Sequence, residues 1–281
     1  MVSENRVSMV TGGAGGFGRA IASSFATRGD HVVVVDLDEA GAAEVAAGLP
    51  GPGRHVGLGC DVRAEESVVA VFDAAEERLG GVDTLVNSGG VREIVDVLTI
   101  SVAQWHDVVA TNLTGTFLTC REFALRAVRR ADGASRSIVN IASVAGLTGI
   151  GNRPAYSASK HGVVGLSKNL ATDLARHGIR VNVVAPGTIR TPMTEGYYAD
   201  EEFVASLATV VPLGAGGSAT DVAETTAFLT GPASGFVTGV VLPVDGGWSA
   251  SKSYSVNPDS AYFAAANSSA GVAGDAAHGP A

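Results

Sequence analysis

The sequence contains only two cysteines, Cys60 and Cys120, among its 281 residues. Each lies among apolar neighbours in a segment that is typical of a buried strand or helix. A pair of cysteines alone does not match the ligand spacing of a metal site. We therefore predict two buried thiols and no metal centre.

The sequence also has no long apolar run. Its apolar stretches, such as residues 32–35 and 181–185, are far shorter than the roughly 20 residues that cross a bilayer. The first six residues carry neither the basic start nor the apolar stretch of a secretory signal. The sequence therefore predicts a cytoplasmic protein without a transmembrane helix.

Positive charge is scarce, because 19 Lys and Arg stand against 28 Asp and Glu, for a net charge of -9. Binding to nucleic acid or to an anionic membrane depends on Lys and Arg contacts to phosphate. This balance favours a small-molecule substrate over nucleic acid or a membrane surface. Hydrophobic residues make up 46% of the chain, which is enough for a substantial core.

Short runs rich in β-branched residues alternate with longer helical patterns along the chain. This alternation predicts an α/β fold of the Rossmann type, with a doubly wound parallel sheet and helices on both faces in three αβα layers. Seven strands are predicted at 7–11, 31–36, 55–61, 84–87, 137–141, 181–185 and 240–244. Helices are predicted at 16–28, 40–49, 64–79, 112–131, 156–177 and 220–229.

We predict a single domain over residues 1–250 that includes a lid at about 191–213, where a polar and aromatic insertion interrupts the pattern. A short helical stretch is expected there up to Leu207. Residues 251–281 are rich in Ala, Ser and Gly. That composition predicts a tail that is partly disordered, or that packs in a subunit interface through Tyr254, Tyr262 and Phe263.

A glycine-rich segment, residues 11–18, joins the first strand to the first helix. Glycines let a backbone turn approach a pyrophosphate closely, and the helix N-terminus offers free N–H groups. The second strand ends at Asp36, where dinucleotide-binding folds place a carboxylate on the adenosine ribose. No Arg or Lys adjoins Asp36 and Gly15 has no side chain, so we predict NAD rather than NADP.

Tyr156 and Lys160 lie four residues apart, on one face of a predicted helix. A tyrosine has a pKa of about 10, and a nearby cation favours its phenolate form. Ser143 ends a predicted strand at the edge where open α/β sheets bind ligands. A positioned hydroxyl beside an acid/base group is what carbonyl reduction requires.

From about residue 6 to residue 248, these segments resemble the short-chain dehydrogenase/reductase family. The family's glycine pattern falls on residues 11–18, its adenine-contacting Asp on Asp61, and its catalytic Asn on Asn112. Its Asn-Asn-Ala-Gly segment corresponds to residues 87–90, although Ser88-Gly89 replaces Asn-Ala and puts the usual bonding between strands in doubt. The resemblance implies as cofactor-binding residues Gly12, Gly15, Gly16, Phe17, Gly18, Asp36, Leu37, Asp61, Val62, Asn87, Ser88, Gly89, Tyr156, Lys160, Pro186, Gly187, Ile189 and Thr191.

The resemblance also implies the roles of the catalytic residues. Tyr156 would be the general acid/base and Ser143 would polarise the carbonyl oxygen. Lys160 would hold the nicotinamide ribose and lower the Tyr156 pKa, and Asn112 would hold a water that relays protons. The expected protein is an NAD-dependent oxidoreductase that interconverts a secondary alcohol and a ketone, assembled as a homotetramer.

Other functions and the substrate stay open at this stage. The family fold also occurs in 3-oxoacyl-thioester reductases, and a catalytically silent NAD(H) sensor or scaffold is a further alternative. Tyr197, Tyr198 and Phe203 suggest an apolar or cyclic substrate, although loop aromatics also simply pack. Arg92 and Arg153 are expected near the substrate mouth, where they could hold a carboxylate or phosphate or form ordinary surface pairs.

Overall fold

Seven parallel strands form the central sheet of the computed structural model, which describes residues 6–130 and 132–251. The strands of the described residues are β1 (Val7–Thr11), β2 (His31–Asp36), β3 (His55–Gly59), β4 (Thr84–Asn87), β5 (Arg136–Ile141), β6 (Ile179–Pro186), β7 (Ile189–Arg190), β8 (Gly217–Ser218) and β9 (Val241–Val244). The order in the central sheet is β3-β2-β1-β4-β5-β6-β9, and β7 pairs with β8 in a separate two-stranded sheet. The predicted fold class is confirmed.

Helices cover both faces of this sheet, as predicted. They are α1 (Gly16–Thr27), α2 (Glu39–Ala47), α3 (Glu65–Leu79), α4 (Val102–Val109), α5 (Gly115–Arg130), α6 (Pro154–Leu174), α7 (Glu195–Tyr198), α8 (Glu201–Val210) and α9 (Ala219–Thr230). Within the described part of the chain, no helix combines the length and apolarity needed to span a membrane.

The core has two large apolar clusters, one on each face of the sheet, and a small third one around Ala142, Val163 and Val183. Along β2, Val32 and Val34 belong to one cluster, and Val33 and Val35 belong to the other. Successive strand residues point to opposite faces, so a strand that is covered on both sides is apolar throughout. Phe25 of α1 packs in the first cluster, whereas the second is filled by side chains of α3, α5 and α6.

Some predicted boundaries were wrong. Strand β3 ends at Gly59 rather than Asp61, because the Asp61 amide donates to Ser67 Oγ and the chain turns away from the sheet. The predicted helix at 112–131 is the end of a longer helical segment that begins with α4. That earlier start was missed, although the Ser101 and Gln104 side chains form a capping box there.

The insertion at 191–213 contains two helices rather than one short stretch. Asp200 caps α8 through hydrogen bonds from the amides of Glu202 and Phe203, and α8 continues to Val210, beyond the predicted end at Leu207. Whether this segment acts as a lid stays a prediction. Tyr254, Tyr262 and Phe263, and with them the predicted role of the tail, lie outside the described residues.

Because α2 packs closely on β3, replacing Gly57 of β3 by alanine should lower the stability of the protein more than replacing Gly48 at the end of α2. A Cβ atom at Gly57 would collide with the backbone of Ala42 and Ala43. Gly57→Ala should therefore lower the free energy of unfolding by roughly 1–3 kcal/mol, as overpacking does elsewhere. Urea unfolding followed by circular dichroism measures the difference.

Gly48→Ala is the matched control. Its Cβ would meet the Glu44 and Val45 carbonyl oxygens at 3.6 and 3.7 Å, which are ordinary van der Waals contacts, so the stability of this variant should stay near that of the wild type. Equal urea midpoints for the Gly57→Ala and Gly48→Ala variants would contradict the packing argument.

Candidate active site

The turn between β1 and α1 crosses the segment that follows β4. Gly12 has a φ of 66°, and a Cβ atom there would lie 2.5 Å from the Gly89 Cα. A Cβ at Gly18 would overlap the carbonyl group of Gly12. By contrast, nothing lies within 4 Å of a Cβ at Gly15 or Gly16. Glycine is therefore required at the crossing, while the other two glycines leave open space at the start of α1.

This open space is part of a cleft of about 610 Å³ at the carboxyl ends of the strands. No side chain caps α1, so the N–H groups of its first turn are available to a pyrophosphate. These features fit a dinucleotide. The predicted cofactor residues that line the cleft are Gly12, Gly15, Gly16, Phe17, Asp36, Leu37, Asp61, Val62, Ser88, Gly89 and Thr191.

A second cavity of about 420 Å³ adjoins the cleft, and Phe17, Thr191 and Met193 line both. The predicted residues that line this second cavity are Ser143, Tyr156, Pro186, Gly187 and Ile189. Gly18, Asn87 and Lys160 line neither cavity. Gly18 packs against Gly12, whereas Asn87 and Lys160 are buried.

Asp36 is held in place at the cleft by backbone amides. Its Oδ2 accepts a hydrogen bond from the Ala14 amide at 3.0 Å, and its Oδ1 accepts one from the Asp38 amide at 3.2 Å. Among the described residues that line the cleft, Arg63 is the only cation. Arg63 pairs with Asp61 at 2.8 Å and with Asp107 at 2.9 Å, so its charge is already matched.

Side chains do join β4 to β5, despite the substitution of Ser88-Gly89 in the family segment. Asn87 Nδ2 donates to Asn140 Oδ1 at 2.9 Å, and Thr119 Oγ1 donates to Asn87 Oδ1 at 2.7 Å. Asn140 Nδ2 in turn donates to Ser167 Oγ at 2.8 Å. The bonding that the sequence put in doubt is therefore present and links the strands to α5 and α6.

Asn112 lies in a π-helical turn, Ala110–Thr114, between α4 and α5. Its Oδ1 accepts from the Val91 amide at 2.9 Å, and its Nδ2 donates to the Val91 carbonyl at 2.9 Å and to Ser159 Oγ at 3.1 Å. Single π-helical turns redirect side chains within a helix and are frequent at functional sites. Here the turn lets one amide join the segment after β4 to α6.

Tyr156 and Ser143 line one cavity from different elements. Tyr156 lies in the first turn of α6, and Ser143 follows β5, where its Oγ accepts from the Ala145 amide at 3.1 Å. Lys160 is buried one turn further along α6. Its Nζ donates to the Ile141 carbonyl at 2.8 Å and lies 5.7 Å from the centre of the Tyr156 ring.

Burial dominates the titration of both groups. It raises the pKa of Tyr156, while a hydrogen bond from Ser143 and the charges of Arg153 and Arg92 lower that pKa. Burial also lowers the pKa of Lys160 to about 8. Tyr156 therefore carries its proton near neutral pH and can donate it to an oxygen atom. The predicted effect of Lys160 on the Tyr156 pKa stays a prediction.

Comparison with known proteins agrees with this geometry. A family model described as enoyl-(acyl carrier protein) reductase matches residues 12–249. D-threitol dehydrogenase from Mycolicibacterium smegmatis is 38% identical over 87% of this chain and 93% of that protein. The crystal structure of a short-chain type dehydrogenase/reductase from Mycobacterium marinum has a TM-score of 0.81 at 30% identity, covering 87% of this chain and 96% of that one.

The chain belongs to the short-chain dehydrogenase/reductase family. Cis-4-hydroxycyclohexanecarboxylate dehydrogenase from Sinomonas cyclohexanicum is another relative, 42% identical over 87% of this chain and 97% of that protein. This short-chain dehydrogenase/reductase is thus an oxidoreductase that binds a nicotinamide cofactor and acts on a small molecule.

Glu93 is a site residue of this dehydrogenase/reductase that the sequence analysis missed. Pro154 has no N–H, and Glu93 Oε1 accepts from the next two amides of α6, Ala155 at 2.7 Å and Tyr156 at 3.0 Å. Its Oε2 is buried without a partner. A carboxylate at a helix N-terminus binds free N–H groups and matches the helix dipole. The contact spans 62 residues, so no local motif indicates it.

Removing Glu93 should destabilise the start of the helix that carries Tyr156. Glu93→Ala leaves two buried N–H groups without an acceptor, which costs about 1–3 kcal/mol for each buried group. Glu93→Gln keeps an acceptor and should stay close to the wild type. Melting temperatures of the two variants compare these outcomes.

The Glu93→Ala and Glu93→Gln variants also distinguish the effect of the Glu93 charge from that of its hydrogen bonds. The Glu93 charge raises the pKa of Tyr156, so Glu93→Gln should shift the rising limb of the pH profile of alcohol oxidation to lower pH. An unchanged pH profile together with an unchanged melting temperature in both variants would contradict the role given to Glu93.

Proposed function

We propose that this protein transfers hydride between NAD(H) and a secondary alcohol or ketone, with Tyr156 as the general acid/base. The observation that supports this most directly is the cavity that Tyr156 and Ser143 line together beside the dinucleotide cleft. A reacting oxygen placed there meets a proton donor and a second hydrogen-bond donor at once.

In the proposed mechanism, the bound cofactor supplies the hydride for reduction and accepts it in oxidation. During reduction, Tyr156 gives its proton to the carbonyl oxygen as that atom gains negative charge, and Ser143 donates a hydrogen bond to the same atom. During oxidation, the Tyr156 phenolate removes the proton of the alcohol. Reduction thus adds one hydride and one proton to the ketone, and oxidation removes one hydride and one proton from the alcohol.

Lys160 and Asn112 support this chemistry in the proposal. The ammonium of Lys160 has three donors, of which the Ile141 carbonyl takes one, so two remain for the hydroxyls of the nicotinamide ribose. Asn112 fixes the segment after β4 against α6 through Val91 and Ser159. We retain its predicted water-mediated role in proton transfer as part of the proposal.

The preference for NAD over NADP is proposed from Asp36. The carboxylate can accept hydrogen bonds from both ribose hydroxyls, and it repels a 2′-phosphate. Leu37 follows it where a cation would be needed, and Arg63 is already paired with Asp61 and Asp107. Both oxygens of Asp36 are held by amides, so its charge cannot easily turn away.

The apolar wall of the second cavity supports a substrate with an apolar or cyclic body. Ile94, Met193 and Phe203 line it, and the Tyr197 and Phe203 rings pack with their centres 5.3 Å apart. The relatives are named for a tetritol and for a hydroxycyclohexanecarboxylate, so they support the reaction class rather than one substrate.

A 3-oxoacyl-thioester reductase is the second candidate. A 3-oxoacyl-[acyl-carrier-protein] reductase from Bos taurus is 41% identical over 86% of this chain. Faster reduction of an acetoacetyl thioester with NADPH than of a cyclic ketone with NADH would favour this candidate over the main proposal.

A homotetramer in the cytoplasm completes the proposal. Phe117, Leu125 and Val128 of α5 are 42%, 40% and 40% exposed, and their spacing places them on one face of the helix. Such an apolar face is typical of an interface between subunits. Light scattering coupled to size-exclusion chromatography tests the assembly.

Tyr156→Phe should reduce turnover by roughly 10²- to 10⁴-fold, the usual contribution of a general acid/base. NADH binding, followed by fluorescence titration, should persist because the ring is retained. Tyr198→Phe is the control, since that hydroxyl does not line the cavity. Full activity in Tyr156→Phe would exclude the proposed mechanism.

The pH dependence should differ between the two directions. Burial raises the pKa of Tyr156, so only a small fraction is phenolate near neutrality and that fraction grows with pH. Steady-state rates of alcohol oxidation should therefore rise between about pH 7 and pH 10, whereas ketone reduction, which needs the protonated phenol, should not rise. An oxidation rate that falls across this range would contradict the assignment.

Replacing Asp36 should change the cofactor preference. Asp36→Ser combined with Leu37→Arg removes the repulsion and adds a cation, so the ratio of kcat/KM for NAD to that for NADP should fall at least roughly tenfold. Asp38→Ser is the matched control, because it removes a neighbouring charge and keeps a hydroxyl able to cap α2. An equal shift in both variants would mean that net charge, rather than contact with the ribose, sets the preference.

A further inference from the structure

Two arginines lie at the cavity that contains the proposed acid/base. Arg92 follows β4 and Arg153 immediately precedes α6, and both are half-buried. Both line the cavity together with Tyr156 and Ser143. Their charges reach the reacting hydroxyl, since each lowers the pKa of Tyr156.

Tyr197 contacts both of these cations. The Arg92 guanidinium lies 4.9 Å from the centre of the Tyr197 ring, and Arg153 Nη2 donates to the Tyr197 hydroxyl at 3.0 Å. Arg92 Nη2 also donates to the Met193 carbonyl at 2.5 Å. Two like charges that share one neighbour repel each other, so this arrangement costs free energy unless an anion is present.

Among the residues that the structure describes, neither guanidinium has an anionic partner. Within residues 6–130 and 132–251, no carboxylate oxygen lies within 4 Å of Arg92 or Arg153. Arg126, by comparison, pairs with three carboxylates. This pair therefore differs from ordinary surface pairing, the alternative that the sequence left open.

Glu93 is the acidic residue closest to this pair along the chain, and it is engaged elsewhere. Its Oε1 accepts from the amides of Ala155 and Tyr156, and the residue is only 9% exposed. One buried carboxylate bound to a helix terminus does not balance two guanidinium groups. Net positive charge therefore remains at the mouth of the cavity, although the chain as a whole is acidic.

We infer that the substrate is a secondary alcohol with an anionic oxygen group, and that Arg92 and Arg153 bind this group. A carboxylate fits best, because a guanidinium offers paired N–H donors that match its two oxygens. The apolar wall covers the rest of the molecule, so the substrate is a hydroxy acid with an apolar or cyclic body. This inference rests on the proposed function and specifies its substrate class.

The first experiment compares two alcohols that differ only in charge. We would measure oxidation of 4-hydroxycyclohexanecarboxylate and of its carboxamide, which has nearly the same shape and the same hydroxyl. The kcat/KM of the carboxylate should exceed that of the carboxamide roughly ten- to hundredfold, as charged hydrogen bonds imply. Alcohols in which a free sulfonate or a phosphate monoester replaces the carboxylate show which oxyanion is preferred.

Variants of the two arginines test whether Arg92 and Arg153 cause the preference for the carboxylate. Arg92→Met and Arg153→Met should each raise the KM of the carboxylate and bring the ratio of kcat/KM for the carboxylate to that for the carboxamide close to one. The ratio is the readout, because either charge also lowers the pKa of Tyr156 and its loss changes the turnover of both substrates alike. Arg190→Met is the matched control: Arg190 pairs with Glu195 and does not line this cavity. If a methionine variant fails to fold, Arg153→Lys keeps the charge and should retain part of the preference.

Binding without turnover provides an independent measurement. Calorimetry in the presence of NADH should show cyclohexanecarboxylate binding at least roughly tenfold tighter than cyclohexanecarboxamide, and Arg153→Met should remove the difference. Equal binding of the acid and the amide to the wild type would overturn the inference. Arginine variants that weaken both ligands equally would overturn it as well.

The inference and the proposed function can fail separately. If neutral alcohols are oxidised, Tyr156→Phe abolishes the activity, and the carboxylate gives no advantage, only the substrate class is wrong. If cyclohexanecarboxylate binds through the arginines but the rate of NAD reduction does not depend on Tyr156, the anion site stands and the proposed mechanism is wrong.

Discussion

The hydrogen bonds between the Asn112 side chain and both backbone groups of Val91 determine where the site residues lie. They fix the segment after β4 at the point where it passes α6, and the third bond, to Ser159, fixes α6 itself. Arg92 and Glu93 follow Val91 directly. The hydrogen bonds to Val91 therefore also position Arg92 at the cavity and Glu93 at the N-terminus of α6. A π-helical turn is what brings the Asn112 amide to this place.

Electrostatics at the site result from a balance of burial and charge. Burial holds the proton on Tyr156 and favours the neutral form of Lys160, whereas two guanidinium groups and one carboxylate act on the phenol in opposite directions. An anion bound between the guanidinium groups would cancel much of their effect and raise the proton affinity of the phenol. Under the proposed substrate class, substrate binding and proton transfer would therefore be coupled through the same charges.

Local patterns predicted most of the fold. The run of valines in β2, which point alternately to the two covered faces of the sheet, and the glycine turn after β1 are both encoded within a few residues. The capping box at Ser101 is local too, and α4 could have been predicted from it. Contacts over long sequence separations could not be predicted, because no spacing links Glu93 to the amide of Ala155 or Tyr197 to the two arginines.

The state of the two thiols has a practical consequence. Both cysteines are buried and free, and burial raises the pKa of Cys60 and that of Cys120, the latter to about 12. Thiolate is the form that reacts with alkylating reagents, so the two cysteines of the native chain should react very slowly with maleimides. A cysteine introduced on an exposed residue between α7 and α8, such as Ala199, would then carry a single fluorescent label, and spectroscopy could follow that segment without removing any native side chain.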